Sequence, residues 1–279
     1  MTVGIVYNEK KEQSYPFCLL LSEALKRRGL QVISGGKINE DPAVYEKSDI
    51  IISIGGDGTF LRVASRVIER GTPVFGFNLG TLGFLTEFEK DSIGMTADRI
   101  ASGDYTIEER SVLKISIDRE GERHFVAYAI NDCVVTREID ANVCYLEVEI
   151  SGNKVGTYPS DGIIVSTQTG STAYSLSAGG PIIEPGNDVH IVTPICSHRM
   201  GSRSIVTRPE SVVKIRPVVK AKRMRVIADG HISEKVFEND CVICENAEAK
   251  IKIIRIDPPN FYRAVAEKLF GEAVERENA

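Results

Sequence analysis

The chain has 279 residues, 42% of them hydrophobic and 26% charged, with a formal net charge of -5, enough for one large or two modest domains with a buried core. The acidic balance argues against a nucleic-acid partner, which would demand surplus Lys and Arg to displace counterions. No apolar run reaches a membrane span, and Met1-Thr2-Val3-Gly4-Ile5 enters a strand-like run rather than a signal peptide, so a cytoplasmic protein with no membrane partner is expected.

In chain order, Val3 to Tyr7 reads as a strand. An amphipathic helix follows, with Leu20, Leu21, Ala24 and Leu25 at helical spacing and a stop near Gly29. Gln31 to Ser34 is a second strand. Ile50 to Ile54 is a third, apolar on both faces like a central parallel strand. Phe60 to Arg70 reads as a helix closed by Gly71, and Val74 to Asn78 as another strand. This alternation predicts a doubly wound α/β unit. The period then changes to two, as in Leu113 to Asp118 and Leu146 to Ser151. Further strand-like runs lie at Phe125 to Val135, Gly162 to Ser166, Val189 to Thr193, Ser211 to Ile215, Arg225 to Ala228 and Lys250 to Ile256. They predict a β-rich, antiparallel, sandwich-like domain. A helix over Phe261 to Phe270, started at Pro258-Pro259-Asn260, closes the chain. The expected domains are 1–108 joined by the helical segment 255–279, which returns to the first domain, and 109–254.

Six cysteines, mostly inside apolar runs, fit buried free thiols. Cys241-Val-Ile-Cys244 reads as part of a strand, where residues three apart face opposite sides and cannot share a metal.

The turn Gly55-Gly56-Asp57-Gly58-Thr59 follows a buried strand and precedes a helix, at the carboxyl edge where open α/β sheets bind ligands. Its glycines permit positive φ and close approach of backbone amides to an anion, and the helix start favours phosphate. An aspartate there would repel an anion, but suits a role in holding Mg²⁺ or another divalent metal, or in taking a proton from an attacking hydroxyl. The alternative is a tight turn with Asp57 as the helix N-cap. A second glycine turn, Asn78-Leu-Gly80-Thr-Leu-Gly83-Phe84-Leu85, also follows a strand. A third cluster, Ser166-Thr-Gln168-Thr-Gly170-Ser-Thr172-Ala173-Tyr174-Ser175, offers hydroxyls, amides and a ring to a polar ligand, or is an ordinary Ser/Thr-rich cap.

With those motifs in order, the chain resembles the NAD kinases, which convert NAD to NADP with ATP and a divalent metal. The match adds Ile130-Asn131-Asp132, Asp161-Gly162, Ser177-Ala-Gly179-Gly180-Pro181-Ile182, Thr193 to His198 with Arg203, Asp229-Gly230, and Phe261-Tyr262 with Lys268-Leu269. The resemblance implies that Asp57 is the catalytic residue and accepts the proton of the adenosine 2′-hydroxyl. It implies NAD contacts by Gly58, Phe84 and Leu85, ribose hydroxyls held by Asn131 and Asp132, and adenine and ribose neighbours at Thr172, Ala173, Tyr174 and Ser177. Asp161 would reach the nicotinamide half. Gly55, Gly56, Gly58, Thr59 and Asn78 are expected around the ATP phosphates, Asp57 is the candidate metal residue, and a homodimer or homotetramer is implied.

Two departures stand out. Asp132 replaces the family's more common Glu. Gln168 replaces the usual Pro, which gives the loop an extra N–H and a freer φ. His198 reads as a loop organiser, and His124, His190 and His231 as surface or satisfied core residues. The basic run Lys220 to Arg225 reads as a solvated strand end or a phosphate-facing one. Rival functions are a diacylglycerol- or sphingoid-type lipid kinase, which shares the GGDGT loop, and a non-catalytic NAD(H)-binding regulator.

Overall fold

The computed structural model describes residues 1–34, 41–80, 83–87, 93–138, 143–218, 224–257 and 261–271. The chain divides into two compact units, Met1–Glu109 with Ile251–Ala279, and Arg110–Lys250.

In the first unit, β1 (Thr2–Tyr7), β2 (Gln31–Ser34), β3 (Ile50–Gly55) and β4 (Val74–Asn78) run parallel in the order β2-β1-β3-β4. Every residue of β3 and β4 is buried, because both strands are flanked and the chain supplies apolar residues to both faces. Helix α1 (Ser14–Arg27) turns Phe17, Cys18, Leu21 and Leu25 into the core formed with Ile52, Ile54, Phe75 and Phe77. Two helices lie outside the expectations above. Asp41 accepts the Ala43 amide and Pro42 fixes the first turn of α2 (Pro42–Lys47). In α4 (Ile93–Ser102), Thr96, Ala97 and Ile100 make the buried stripe.

The helix after the GGDGT turn, α3 (Asp57–Ala64), is shorter than its sequence predicts. Beyond Ala64 the bonds tighten to Arg66 N–H to the Val63 carbonyl and Val67 N–H to the Ala64 carbonyl. Gly71, at φ +66°, then releases the chain toward β4.

The second unit is β-rich and antiparallel. Strands β7 (Asp132–Arg137), β10 (Gly162–Thr167), β11 (His190–Ile195), β12 (Ile205–Thr207), β14 (Met224–Ala228) and β15 (Ile232–Val236) form one sheet in the order β12-β11-β10-β7-β14-β15. Strands β8 (Cys144–Ile150), β9 (Asn153–Ser160) and β13 (Val213–Pro217) pair with one another and with β16 (Cys241–Arg255), while β5 (Thr106–Arg119) pairs with β6 (Glu122–Ala129). Leu146, Val148, Ile215 and Val242 share one core with Cys133, Val135, Ile163, Val165 and Val226 of the other sheet. Strand β16 begins nine residues before its expected start and takes in both cysteines of the CxxC. Cys244 joins the core cluster and Cys241 is buried outside it, both as free thiols.

The single run expected over Phe125 to Val135 is two strands, because Ile130 and Asn131 turn their amides to a side chain instead of a ladder. The segment after β10 is a 3₁₀ turn, Thr169–Thr172, and one turn of helix, α5 (Tyr174–Ser177). The closing helix is α6 (Phe261–Val265), continued as a π-helical turn over Ala266–Phe270 and ended by Gly271 at φ +68°. Pro258 to Asn260, Lys220 to Arg223, Thr81 and Leu82 lie outside the described residues. Among the described residues, no helix is long and apolar enough to cross a membrane.

Gly170 shows how tightly the 3₁₀ turn seats. A Cβ there would overlap the carbonyl and Cα of Asn131, backbone that cannot move without dragging β7. Gly170→Ala is therefore expected to destabilise the protein by at least about 2 kcal/mol, as overpacking against backbone does. A melting temperature within a degree of the wild-type value would contradict this packing.

Candidate functional site

Asp57 is the first residue of α3, and the N-cap position is Gly56, so Asp57 does not cap its own helix. Its carboxylate turns to the second glycine loop. Oδ2 accepts the Phe84 amide at 2.9 Å and the Lys268 ammonium at 3.3 Å. Oδ1 accepts the amides of Leu85 at 3.3 Å and Thr86 at 3.2 Å, and the Thr86 hydroxyl at 2.8 Å. Asn78 completes the chain of contacts, donating from Nδ2 to the Thr86 hydroxyl at 3.0 Å and accepting the Gly80 amide at 2.9 Å. Burial alone would raise the Asp57 pKa. The Lys268 charge, the amides of Phe84 and Leu85 and the Thr86 hydroxyl outweigh it and hold the carboxyl below its ordinary value. Asp57 is therefore ionised at neutral pH.

The glycines serve a different purpose from the one their number implies. None of Gly55, Gly56 and Gly58 takes a positive φ. Gly55 is required because a Cβ would collide with the Thr59 side chain, whose hydroxyl accepts from Asn8 at 3.2 Å. Gly83 is required because a Cβ would meet the Asp57 carboxylate and the Thr86 hydroxyl. Gly58 is open to solvent. Leu85 gives Asp57 its amide while its side chain is buried, and Phe84 lies half-buried against Lys268 and Phe261.

Lys11 is a residue that the motifs do not disclose. The loop after β1 is folded by Asn8, which accepts the Lys10 amide on Oδ1 and the Lys11 amide on its carbonyl. That loop carries the Lys11 ammonium to 3.9 Å from the Cβ positions of both Gly56 and Gly80. Its signal in the sequence is position alone, just past the carboxyl end of a parallel strand.

The second unit holds the remaining candidates. A pocket of about 420 Å³ is lined by Asn131, Asp132, Val134, Thr136, Ala173, Tyr174, Ile227, Asp229 and Gly230. Asp229 builds its floor, accepting the amides of Ile130 and Asn131 at 2.8 Å and of Asp132 at 3.1 Å. Burial dominates these bonds and raises the Asp229 pKa. Burial, and then the Asp229 charge, push Asp132 up to about 7. The Asn131 Oδ1 is buried with no hydrogen-bond partner, an acceptor left for a donor from elsewhere. Thr167 braces the turn, its hydroxyl donating to the Ile130 carbonyl at 2.6 Å and its amide to the Asn131 carbonyl at 2.9 Å.

Gln168 keeps a proline-like φ of -57°. Its side chain spans the Ser111 hydroxyl at 3.0 Å and Asp188 at 2.9 Å, so hydrogen bonds supply the rigidity a ring would give. Thr172 donates to the Thr169 carbonyl, and Ser177 is exposed at the end of α5; neither lines the pocket. Asp161 does not line it either, and receives Arg137 at 2.8 Å. His190 is fully buried in β11, His124 is solvent-exposed, and exposed His198 donates its amide to the Pro159 carbonyl.

The expected metal role of Asp57 does not fit. Both of its oxygens are taken up by donors, and an ammonium stands where a cation would sit. Among the described residues, no cluster of three or more His, Cys, Asp or Glu side chains is placed to hold a metal.

Comparison with known proteins decides the family. The ATP-NAD kinase N-terminal domain profile matches residues 41–105, and the ATP-NAD kinase C-terminal domain profile matches 130–256. The NAD kinase of Symbiobacterium thermophilum is 39% identical over 271 residues, covering 97% of this chain and 94% of its own. That of Acetivibrio thermocellus is 33% identical over 288 residues, covering 98% and 99%. The crystal structure of an NAD kinase from Archaeoglobus fulgidus in complex with ATP aligns with a TM-score of 0.81 and 27% identity, over 98% of this chain and all of that one. The chain belongs to the NAD kinase family. It is an enzyme, and the phosphorylation of NAD to NADP is the activity its family membership carries.

Two expectations about the enzyme follow from this geometry. Asp132 holds its proton in the folded state up to about pH 7, whereas unfolded aspartate loses it near pH 4. Its raised folded pKa therefore withdraws stability as pH rises between those values. Asp132→Asn should melt several degrees above the wild type at pH 8 and close to it at pH 4; parallel melting curves across that range would refute the assignment. Lys11→Ala should raise the KM for ATP roughly five- to tenfold, the scale of one charge-assisted hydrogen bond, and leave the KM for NAD unchanged. Steady-state kinetics with each substrate varied measures both.

Proposed function

We propose that the enzyme transfers the γ-phosphoryl group of ATP to the 2′-hydroxyl of the adenosine ribose of NAD, with Asp57 as the proton acceptor. The observation that carries this reading is the pinned carboxylate. Asp57 is ionised and is held just past the end of β3 by three successive amides and a hydroxyl.

A carboxylate with a depressed pKa is a weak base, and its role follows from that. In phosphoryl transfer through a loose transition state, the attacking hydroxyl becomes acidic late, as its bond to phosphorus forms. The 2′-oxygen–phosphorus bond forms while the bond from the γ-phosphorus to the bridging oxygen breaks. The departing ADP keeps that electron pair, and the hydroxyl proton passes to Asp57. Before that moment Asp57 orients the hydroxyl. Such a group contributes roughly 10²–10⁴-fold to rate.

Recognition of the acceptor falls to the second unit. Asn131 and Asp132 suit the ribose hydroxyls, the first through its unpartnered Oδ1. Ala173 and the exposed Tyr174 ring suit the adenine, with Thr172 and Ser177 beside them in sequence. Gly55, Gly56, Gly58 and Thr59 at the junction of β3 and α3, with Lys11, suit the donor phosphates. Asn78 takes a different part in this reading, fixing Thr86 and through it Asp57. A divalent metal such as Mg²⁺ would come with the nucleotide and would supply neutralisation of the charge that develops on the phosphates. Asp161, paired with Arg137, is assigned to the nicotinamide half, in a cytoplasmic homodimer or homotetramer.

Asp57→Asn keeps the side chain's shape and removes the acceptor. Turnover is expected to fall by at least about 100-fold while the Kd for NAD stays within a few-fold. NADP formation at the wild-type rate would refute the base assignment. The same assay separates the rivals. A lipid kinase would consume ATP only with diacylglycerol or a sphingoid base, and a non-catalytic regulator would bind NAD without forming NADP.

A further inference from the structure

The contact between Lys268 and Asp57 poses a chemical problem for the mechanism. Four of the five donors on the Asp57 carboxylate are fixed in place. Three are backbone amides, and the fourth is the Thr86 hydroxyl, itself held by Asn78. Oδ1 has three of those donors. Oδ2 has the Phe84 amide and the Lys268 ammonium. A hydroxyl that delivers its proton to Asp57 needs a free lone pair, and among the described residues the one mobile donor to displace is Lys268, on its four-carbon stem.

The setting of Lys268 equips it for that move. It lies on the π-helical turn after α6, and Phe261 of that helix packs on Phe84 with ring centroids 6.1 Å apart. The ammonium is 4.9 Å from the centroid of the Phe84 ring, a second favourable resting place for a cation. Its neighbour Glu267 is engaged at 2.7 Å by Arg263 one turn back, so it does not compete for the ammonium. The side chain keeps 28% of its surface exposed. The other charges around the turn are committed elsewhere. Arg255 donates to the Leu85 carbonyl and pairs with Glu108 and Glu87 behind the loop. Burial leaves Glu87 titrating at about 7, and Lys11 stands over Gly56 and Gly80.

We propose that Lys268 is a second catalytic residue that exchanges partners during turnover, leaving Asp57 Oδ2 to the acceptor hydroxyl and moving its ammonium onto the transferring phosphoryl group. Before the acceptor binds, the ammonium keeps Asp57 ionised and aimed. Once displaced, it meets negative charge spread over the phosphoryl oxygens, which rewards a nearby cation most in the transition state. The proton moves from the 2′-hydroxyl to Asp57 as the new oxygen–phosphorus bond forms. Lys268 keeps its own protons throughout.

This inference rests on the reading of Asp57 as proton acceptor, and the experiment separates the two. Lys268→Gln, Lys268→Arg and Asp57→Asn are made in the full chain. Each is checked for NAD binding by calorimetry, then assayed for NADP formation at neutral pH with each substrate varied. In Lys268→Gln, kcat should fall about 30- to 100-fold, the scale of losing one preorganised transition-state contact. The KM for ATP should rise severalfold and the Kd for NAD should hold. Lys268→Arg, which keeps the charge, should recover part of kcat and of the affinity for ATP, and it carries the test alone where the glutamine variant fails to fold. A kcat within threefold of wild type in Lys268→Gln, or a loss that arginine does not rescue, would overturn the exchange. Wild-type turnover in Asp57→Asn would instead remove the reading beneath it.

Discussion

Three consecutive backbone amides donating to one carboxylate form the constraint on which the first unit's chemistry depends. The amides of Phe84, Leu85 and Thr86 converge on Asp57, which joins the loop after β3 to the loop after β4. Such a joint makes a reactive group immobile, since moving the carboxylate would strand several buried donors at once. It also explains the small residues nearby. Gly83 gives the carboxylate room, Gly55 gives Thr59 room, and Asn78 and Thr86 hold the second loop at its required distance.

The second unit uses the same device for a different end. Asp229 accepts the amides of Ile130, Asn131 and Asp132, and so creates the break between β6 and β7 at which Asn131 and Asp132 are presented. The two aspartates diverge in charge behaviour because of what stands beside them. Asp57 has the Lys268 ammonium and is held below its normal pKa. At Asp229 burial outweighs the three amides and the His231 charge, so its pKa rises, and burial with the Asp229 charge raises that of Asp132. Three successive amides on one carboxylate thus accompany a lowered pKa in one place and a raised one in the other.

Much of this was legible in the sequence where a single local rule applied. The unbroken apolar run Ile50 to Ile54 announced a buried parallel strand, and Asp57 stood out because an aspartate makes poor sense in an anion-binding turn. Features that depend on two distant segments were not legible. The break at Ile130–Asn131 is invisible in a run of strand formers, since its cause is an aspartate about a hundred residues away. The short span of α3 reflects tightened bonds after Ala64 that residue propensity does not record. The donors that fill the Asp57 oxygens were not legible for the same reason, because only the fold brings those amides and the Lys268 ammonium near. Lys11 carried no motif, and only the convergence of three loops gives it meaning.

Gln168 holds its backbone in the conformation proline would impose, but by different means. A proline carries its restriction into every state of the chain, including the unfolded one. The glutamine is restricted only while Ser111 and Asp188 are in place to receive it. The order of this loop is therefore contingent on β5 and on the segment that bears Asp188, and a disturbance at either would reach the Asn131 turn through Thr167 and Gly170. In this chain the loop reports the state of its surroundings, where a ring would have made it indifferent to them.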